Sequence, residues 1–435
     1  MKIYLDTIGC RLNQAEIEGM ARGFRAAGHE IVASPHLAEM AVVNTCAVTN
    51  DAAADSRGRI RSIARAGVQE IVATGCWVTL QPKEAAALPN VLHVIPNDRK
   101  DHLTAETLNL KPSTLNLPPF DLEPISRQPL PGLHRRTRAF IKVQDGCDNR
   151  CTFCITTIAR GEGRSRPLGD VLLDIRSALN GGTKEIVLTG VHLGSWGQDF
   201  GMHLRDLIRA ILRETDTPRI RLSSLEPWDL DADFFSLWRA SSDSASRLMP
   251  HLHLPLQSGC GTTLKRMARK TTPESFRQLV AAAREVIAGA AITTDIIAGF
   301  PGETEDEFAE TLAFVKEMNF AGGHVFTYSP RPGTGAAKMR GQVKPEVRKE
   351  RNHILRQTLD ESERAYRESF IGQKMSVLWE STSELDDWGW QMEGLTGNYL
   401  RVKATASSPR WNEIDDVVIH ENQSSGLKGV ILNRG

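Results

Sequence analysis

Three cysteines in one short stretch give the clearest chemical signal in the sequence. The segment GCDNRCTFC places Cys147, Cys151 and Cys154 in the spacing C-x3-C-x2-C. Three thiolates can hold a 4Fe–4S cluster and leave its fourth iron open to a substrate or cofactor. Structural zinc or chance spacing is the alternative, but no fourth Cys or His follows promptly. The spacing therefore favours an iron–sulfur site with an open iron.

A second set of cysteines is dispersed along the first hundred residues. Cys10, Cys46 and Cys76 each follow an apolar run that reads as a strand: KIYLDTI, AVVNT and EIVATG. Because parallel strands end on the same edge of a sheet, these thiols are predicted to converge there and hold a second 4Fe–4S cluster. The alternative is three unrelated buried thiols. The seventh cysteine, Cys260, lies outside both triads, and we interpret it as a packed loop residue.

The elements that must position the two triads fall into four segments. Residues 1–100 alternate apolar runs with helical stretches, which predicts an α/β domain with a parallel sheet. Residues 101–136 carry six prolines and predict a linker. Residues 137–370 contain six apolar runs and end in a long charged helix, as in a partial βα barrel of six units. Residues 371–435 carry short β-like segments, which predicts a small β-barrel.

Charge and composition limit the classes of partner. The 435 residues include 53 Lys or Arg and 53 Asp or Glu, so any site for a polyanion must be local. The first residues lack the apolar stretch of a signal peptide, and no run approaches the roughly 18 apolar residues of a membrane span. We therefore expect a cytoplasmic protein, a monomer without a membrane partner, whose thiols serve metal or redox chemistry rather than disulfides.

Motifs along nearly the whole chain resemble those of the radical-SAM methylthiotransferases, enzymes that use S-adenosylmethionine (SAM). The motifs are GCRLNQAEIE (9–18), VVNTCAVTN (42–50), CDNRCTFC (147–154), TGVHLGSWG (189–197), SSLEP (223–227), PLQSGCGTTLKRMARKTT (255–272) and TDIIAGFPGET (294–304). Among the branches, GCRLNQ, NTCAVTN and TGVHLG are most similar to the enzymes acting on threonylcarbamoyl-adenosine in tRNA. One departure is CITTIARG, which lacks the proline usual in the family after the third cysteine.

The resemblance implies an enzyme that transfers a methylthio group to carbon 2 of threonylcarbamoyl-adenosine beside the anticodon in tRNA. It implies two 4Fe–4S clusters, one on each triad, and SAM as both methyl donor and radical source, with Cys147, Cys151 and Cys154 as the catalytic triad. It also implies an electron donor protein and a TRAM-like, RNA-binding C-terminal barrel. The alternatives are methylthiolation of a ribosomal-protein aspartate or of isopentenyl-adenosine in tRNA, a two-cluster electron carrier, and an RNA-binding protein with structural zinc. The electron carrier would need eight ligands, and the chain has seven cysteines.

Several residues at predicted strand ends are candidates for contact with SAM: Thr189, Gly190, Glu226, Gln257, Asp295 and Gly299. By the same resemblance, Gly181 and Gly182 are expected over the cofactor. Ordinary turn chemistry explains glycines equally well. Likewise, the residues of Gly299–Glu303 can be explained by the capped helix that follows them, without any functional role.

Two features suggest where RNA binds. Between His134 and Arg166, eight Lys or Arg outnumber three acids, which predicts a surface for a polyanion unless the run is simply a solvated face. The C-terminal segment is acidic overall but rich in large aromatic residues, which either stack on bases or fill the core. They are Trp379, Trp388, Trp390, Tyr399 and Trp411.

Overall fold

A computed structural model describes residues 1–109, 137–239, 247–386 and 389–432. Residues 110–136 of the predicted linker, and Trp388, lie outside the described residues. The described chain forms an α/β unit, a partial βα barrel and a small closed β-barrel, which confirms the predicted fold class.

The N-terminal unit is a five-stranded parallel sheet with the order β2-β1-β3-β4-β5. Its strands are β1 (Lys2–Thr7), β2 (Glu30–Val32), β3 (Met40–Thr45), β4 (Glu70–Gly75) and β5 (Val91–Ile95). Its helices are α1 (Arg11–Ala26), α2 (Asn50–Arg65), α3 (Cys76–Leu80), α4 (Pro82–Ala86) and α5 (Leu103–Thr107). Both faces of β3 are buried: Ala41 and Val43 pack on the side of α2, while Met40 and Val42 pack on the side of α1. This burial on both sides explains why the strand reads as a continuous apolar run.

The N-terminal unit extends beyond residue 100, where the linker was predicted to begin. Helix α5 buries Leu103 fully against Phe24 of α1, and Ala105 is 3% exposed. Lys100 is also buried, where it pairs with Glu16. Proline content therefore located the boundary only approximately, because the buried side chains of Leu103 and Lys100 hold this segment to the N-terminal unit.

The middle unit consists of six parallel strands in chain order. They are β6 (Arg138–Lys142), β9 (Glu185–Thr189), β10 (Arg219–Leu222), β11 (His251–His253), β12 (Ala291–Ala298) and β13 (Gly322–Thr327). Isolated parallel bridges, such as Ser224 with His253, join the two three-stranded sheets between β10 and β11. Alternate residues face a large apolar core under the surrounding helices, so the others face the barrel interior.

Helices follow the strands of this partial barrel and cover its outside, except for the first, which packs on the N-terminal unit. They are α6 (Thr156–Arg160), α7 (Leu168–Asn180), α8 (Leu204–Glu214), α9 (Ala232–Arg239), α10 (Gly261–Arg266), α11 (Pro273–Val286), α12 (Glu305–Met318) and α13 (Pro345–Glu368). Thr272 and Thr304 each accept a hydrogen bond from the third backbone N–H of their helix, which fixes where α11 and α12 begin. None of the described helices is long and apolar enough to cross a membrane.

The C-terminal unit is a closed five-stranded barrel. Its strands β14 (Lys374–Asp386), β15 (Gly389–Thr396), β16 (Arg401–Ala406), β17 (Ile414–Gln423) and β18 (Gly426–Ile431) close in the order β14-β15-β16-β18-β17. Four of the strands overlap the segments that read as β-like in the sequence, KMSVLWE, WQMEGL, NYLRVKA and DVVIHE, and β18 was not predicted.

The C-terminal barrel closes the amino-terminal end of the partial βα barrel. Arg219 and Arg221 begin β10 and are 3% and 0% exposed. Arg219 donates to the backbone oxygens of Ser376 (2.9 Å) and Leu395 (3.0 Å), and Arg221 donates to that of Gly397 (2.9 Å). Buried guanidinium groups thus satisfy carbonyls of the C-terminal barrel, so the two barrels share one interior.

Candidate functional site

The N-terminal cysteines converge at the carboxyl edge of the first sheet. Cys10 caps α1 after β1, Cys46 follows β3, and Cys76 is the first residue of α3 after β4. These strands are neighbours, and a Cβ added at Gly9 would lie 2.8 Å from Cys46 Sγ. All three thiols are close enough to influence one another electrostatically. We refer to Cys10, Cys46 and Cys76 as the first triad and to Cys147, Cys151 and Cys154 as the second triad. The first triad is therefore a spatial cluster, although its members are separated by dozens of residues.

Burial raises the pKa of the Cys46 thiol to about 11, whereas Cys10 is exposed to solvent. No group of three or more His, Cys, Asp or Glu in the described part of the chain is placed so that it could hold a metal ion. The fold nevertheless brings the three thiols together, and this convergence supports a cluster. Because thiolates are the ligands, loading this site must release protons.

The second cysteine triad lies in a loop between two short paired strands, β7 (Gln144–Asp145) and β8 (Arg164–Ser165). The loop starts at Gly146, whose φ is 71° and where a Cβ would come within 1.8 Å of Glu162 O. Only glycine fits this approach. The Cys154 N–H donates to Cys151 O (3.1 Å), and the Thr156 N–H donates to Cys154 Sγ (3.4 Å). Because the loop follows β6, it lies at the carboxyl end of the first barrel strand, where barrel enzymes carry their chemistry.

Two cations lie against the thiols of the second triad. Arg269 is 8% exposed, donates to Cys151 Sγ (3.8 Å) and forms a bidentate pair with Glu226 (3.1 and 2.7 Å). Burial alone would lower the pKa of His192, but its hydrogen bonds to Asp229 and Cys147 raise it to about 10. This shift favours the imidazolium form of His192. Burial raises the pKa of the Cys151 thiol to about 11, and the Arg269 charge opposes that rise, so Arg269 favours the thiolate form that a cluster requires.

One amide connects the two triads. Asn97 Nδ2 lies 3.6 Å from Cys76 Sγ and 2.7 Å from the backbone oxygen of Ala159, which is in α6 shortly after Cys154. Helices α3 and α6 also pack against each other. The two cysteine sites therefore face one another across the contact between the N-terminal unit and the partial barrel.

A buried ionic network fixes that contact. Glu16 of α1 accepts from Arg160 Nη1 (2.8 Å), Lys100 Nζ (2.9 Å) and Asn44 Nδ2 (3.1 Å). Arg160 also donates to Asp145 Oδ1 (2.9 Å), just before the second triad. Burial alone would raise the pKa of Glu16, but Lys100 and Arg160 hold it well below its usual range. A single carboxylate thus joins the helix after Cys10, the strand before Cys46 and the helix after Cys154.

The structure brings five of the six predicted SAM contacts together around the barrel interior. Glu226 lies beside Cys151 through Arg269. Thr189 ends β9, and Gly190 packs against Gln144 at the start of the cysteine loop. Gln257 has a φ of 71° and its N–H donates to Asp295 O (2.8 Å), while the Asp295 carboxylate pairs with His253 (3.2 Å) inside the barrel. These five residues surround the carboxyl half of the barrel.

Some predicted residues differ from expectation in their position or in the side chains they contact: Asp295, Gly299 and the pair Gly181 and Gly182. Asp295 lies in the middle of β12, not at its end. A Cβ at Gly299 would come within 2.1 Å of Arg348 Cγ, and Glu303 pairs with Arg351 (2.7 Å), so this loop is packed against α13. Gly181 and Gly182 precede β9, at the end of the barrel away from the cysteines. The expectation that they cover the cofactor is therefore wrong.

The basic run does not form a free cationic surface. Arg135 and Arg136 lie outside the described residues. Arg138 pairs with Glu380 (2.6 Å), Lys142 with Asp145 (2.9 Å) and Arg166 with Asp174 (2.7 Å). Arg160 is fully enclosed by Glu16 and Asp145. Among the described members only Arg150 and Arg164 are exposed, because each of the others is paired with an acidic side chain.

The aromatic residues of the C-terminal barrel are mostly packed. Trp379 is 0% exposed and its Nε1 donates to Asp415 Oδ2 (2.8 Å). Tyr399 projects into the partial barrel, where it stacks on His251 with ring centroids 4.7 Å apart. For Trp379 and Tyr399, packing rather than stacking on bases explains the large ring.

The seventh cysteine, Cys260, is 1% exposed, as expected for a packed residue.

Comparison with known proteins identifies the family. The model of the Uncharacterized protein family UPF0004 matches residues 2–95, and that of the Radical SAM superfamily matches residues 141–315. The threonylcarbamoyladenosine tRNA methylthiotransferase of Thermotoga maritima is 37% identical, with 86% of each chain covered. The enzyme of that name from Bacillus subtilis is 35% identical, covering 91% of this chain and 88% of its own. The chain belongs to the radical-SAM methylthiotransferases.

Other similarities agree with this family. The tRNA-2-methylthio-N(6)-dimethylallyladenosine synthase of Anaplasma marginale is 30% identical over 99% of this chain and 96% of its own. Among solved structures, the radical SAM methyltransferase TsrM of Kitasatospora setae has a TM-score of 0.56 at 16% identity, covering 77% of this chain and 75% of that one. That likeness concerns the fold alone. The predicted family, the enzyme class and its defining cofactors, SAM and 4Fe–4S clusters, are confirmed.

Sequence reasoning missed four residues of the site: Glu16, Asn97, His192 and Arg269. Glu16, His192 and Arg269 lie inside the motifs GCRLNQAEIE, TGVHLGSWG and PLQSGCGTTLKRMARKTT. The motifs thus carried a signal that the cysteine analysis did not use. Asn97 had no such signal, because its role depends on where α6 packs.

Proposed function

We propose that this methylthiotransferase adds a methylthio group to carbon 2 of N6-threonylcarbamoyladenosine beside the anticodon of tRNA. The observation that carries the proposal is the pair of three-cysteine sites facing each other across one interdomain contact. A reaction that joins a sulfur-holding site to a radical-generating site needs both within reach of one base. The higher identity to relatives named for threonylcarbamoyladenosine than to the Anaplasma relative supports this substrate.

The family resemblance implies the proposed roles of the two triads, and their surroundings support them. Cys147, Cys151 and Cys154 would hold the 4Fe–4S cluster that binds SAM, and Cys10, Cys46 and Cys76 the cluster that carries the sulfur. When bound, the cofactors supply electron transfer, the radical and the methyl group. The chain's own residues hold these groups: Arg269 and His192 place positive charge against the second triad, and Glu16 with Asn97 fixes the distance between the sites.

The remaining predicted site residues keep their roles as proposals. Thr189, Gly190, Glu226, Gln257 and Asp295 are proposed to contact SAM, because they line the carboxyl half of the barrel next to the second triad. Gly299 is proposed only to shape the loop that these residues face. The proposed partners are tRNA and an electron donor protein, and the proposed form is a cytoplasmic monomer.

The test is an anaerobic assay with reconstituted protein, SAM, a strong reductant and tRNA carrying threonylcarbamoyladenosine. We expect about eight irons per chain and a methylthio product in nucleoside mass spectrometry. Cys151→Ala is expected to abolish 5′-deoxyadenosine formation. Cys46→Ala is expected to leave SAM cleavage measurable while methylthio transfer stops. Cys260→Ala is the matched control, since this thiol lies outside both triads, and it should keep iron content and product formation.

Substrate identity is decided by parallel reactions. tRNA carrying isopentenyl-adenosine and the ribosomal protein that bears the candidate aspartate are offered to the same preparation. Product from either, with none from threonylcarbamoyladenosine, would overturn the proposed substrate. Full methylthiolation by Cys46→Ala would overturn the sulfur-handling role of the N-terminal triad.

A further inference from the structure

A polar cavity lies between the amino-terminal end of the partial barrel and the C-terminal barrel. Its volume is about 340 Å³, within the size range of small-molecule sites. Its inner wall includes Arg11, Arg138, His251 and His253, and its outer wall includes Arg367 of α13 and the turn between β17 and β18. We refer to it as the floor cavity.

The floor cavity shares its inner wall with the reaction site. Arg11 directly follows Cys10 of the first triad. His253 pairs with Asp295, which faces the same barrel interior. Arg11 therefore links the floor cavity to the edge of the N-terminal sheet that carries Cys10, and His253 links it to the barrel interior.

Arg11 is the cation in this cavity that lacks an acidic partner. Arg138 pairs with Glu380 (2.6 Å), Arg367 with Glu363 (3.2 Å) and Arg401 with Glu393 (2.7 Å). The Arg11 guanidinium instead donates to Tyr399 Oη (2.9 Å), and no carboxylate in the described part of the chain pairs with it. A guanidinium provides donors for both oxygens of a carboxylate, so Arg11 can accept such a ligand.

The cavity has a positive potential. Burial alone would raise the pKa of Tyr399, but Arg11 and Arg138 lower it. Burial, together with the nearby Arg221, lowers the pKa of His251 well below its usual range. Both groups are thus shifted toward the less positive form, as expected where a negative ligand is favoured.

His251 offers a second, independent contact. It is 3% exposed, and its Nδ1 has no hydrogen-bond partner. Its Nε2 lies 3.1 Å from Thr293 Oγ1, which lies 2.9 Å from His253 Nδ1. His251 Nδ1 is a donor or an acceptor according to the tautomer of the ring. A hydroxyl group can bond to it in either case, because a hydroxyl both donates and accepts.

We propose that the floor cavity recognises the threonylcarbamoyl group of the substrate, with Arg11 binding its carboxylate and His251 bonding its hydroxyl. This inference rests on the proposed function and deepens it by assigning the specificity-determining residues. An apolar dimethylallyl group would leave Arg11 without a carboxylate and His251 Nδ1 without a hydrogen bond. A site built for hydrogen bonds rejects an analogue that lacks the matching groups, so the cavity separates the two tRNA substrates.

The test measures binding of anticodon stem-loop RNAs to the reconstituted holoenzyme at fixed salt. One loop carries threonylcarbamoyladenosine, one its carboxyl methyl ester, and one the analogue with glycine in place of threonine. The wild type is expected to prefer the free acid over the ester by about tenfold or more, the effect of one charged hydrogen bond. Arg11→Gln should bring that ratio close to one. Arg401→Gln, which removes a cavity arginine already paired with Glu393, should leave the ratio unchanged.

His251 is tested with the glycine analogue, which lacks the hydroxyl. The wild type should prefer threonine over glycine severalfold, and His251→Gln should lose this preference, because glutamine can replace Nε2 but has no atom at Nδ1. Iron content and thermal midpoint verify that each variant is folded and loaded.

The outcomes separate the inference from the proposed function. Equal binding of acid and ester by the wild type overturns the inference even if every variant fails to fold, since this comparison needs no variant. If that equality accompanies normal methylthiolation of the free acid, the proposed function stands alone. Absence of any methylthio product from the free acid, with product from the dimethylallyl substrate, overturns both.

Discussion

Replacing Glu16 with Gln tests whether one buried carboxylate holds the two cysteine sites together. The substitution keeps the shape of the side chain but leaves Lys100 and Arg160 without their shared negative charge. Arg160 retains Asp145, whereas Lys100, 3% exposed, retains only Asn44 Oδ1 (3.2 Å). Breaking a buried ion pair on one side costs about 3–5 kcal/mol. We expect a loss of that size in the N-terminal unit.

Because a chain of several domains does not unfold in one step, local hydrogen exchange is the better measurement. Peptides covering α1 and β3 should lose protection by a factor between about 10² and 10⁴, which is the same energy expressed as an equilibrium constant. Glu30→Gln, at an exposed position of the same sheet, is the control. Lys100→Met added to Glu16→Gln should restore part of the protection by removing the stranded cation. Protection in Glu16→Gln within threefold of the Glu30→Gln control would refute the reasoning.

The same network predicts a direction for the effect of pH. Lys100 and Arg160 hold the pKa of Glu16 well below its ordinary 4.5, even though burial opposes them. A group whose pKa is lower in the folded state adds stability above its unfolded pKa and loses it as the pH falls. Protection of α1 should therefore be constant above about pH 5 and fall below pH 4.5 in the wild type. In Glu16→Gln this part of the acid dependence should be missing.

Two further substitutions test the sites themselves. Arg269→Gln removes the positive charge beside Cys151, so the midpoint potential of that cluster should fall by about 60 mV or more in an EPR-monitored titration, the equivalent of one charge-assisted hydrogen bond. Lys265→Gln, which removes an exposed positive charge from the preceding helix α10, is the control and should leave the potential unchanged. Gly75→Ala should destabilise the N-terminal unit by at least about 2 kcal/mol more than Gly28→Ala, because both glycines have positive φ but only Gly75 would place a Cβ 2.3 Å from Thr45 O. Equal losses in chemical denaturation would show that the close approach at Gly75 is not real.

The cysteine sites were predictable because strand ends are readable from sequence. Apolar runs of five or six residues locate β1, β3 and β4, and parallel topology then brings Cys10, Cys46 and Cys76 to one edge. The same reasoning, applied strictly, would have placed Gly181 and Gly182 correctly. A loop that precedes a parallel strand lies at the opposite end from one that follows it.

Partners distant in sequence were not predictable. The charge excess in residues 134–166 suggested a surface for RNA, but Arg160 pairs with Glu16, 144 positions away. A count of charges along the chain cannot distinguish a solvated cation from one that neutralises a buried acid. Strand β18 was overlooked for a related reason: its six residues include two glycines, and their burial comes from the barrel around them rather than from an apolar pattern.

Arg219 and Arg221 begin a strand in the middle of the chain but donate to carbonyls that lie more than 150 residues later. During synthesis these carbonyls leave the ribosome only after the whole partial barrel has been made. Until then, the guanidinium groups have only Glu185 and water as partners, so the barrel interior stays wet and its floor stays open. Cluster insertion before chain release would therefore occur in an unfinished barrel. A nascent chain halted before β14 should accordingly take up iron less stably than the complete chain.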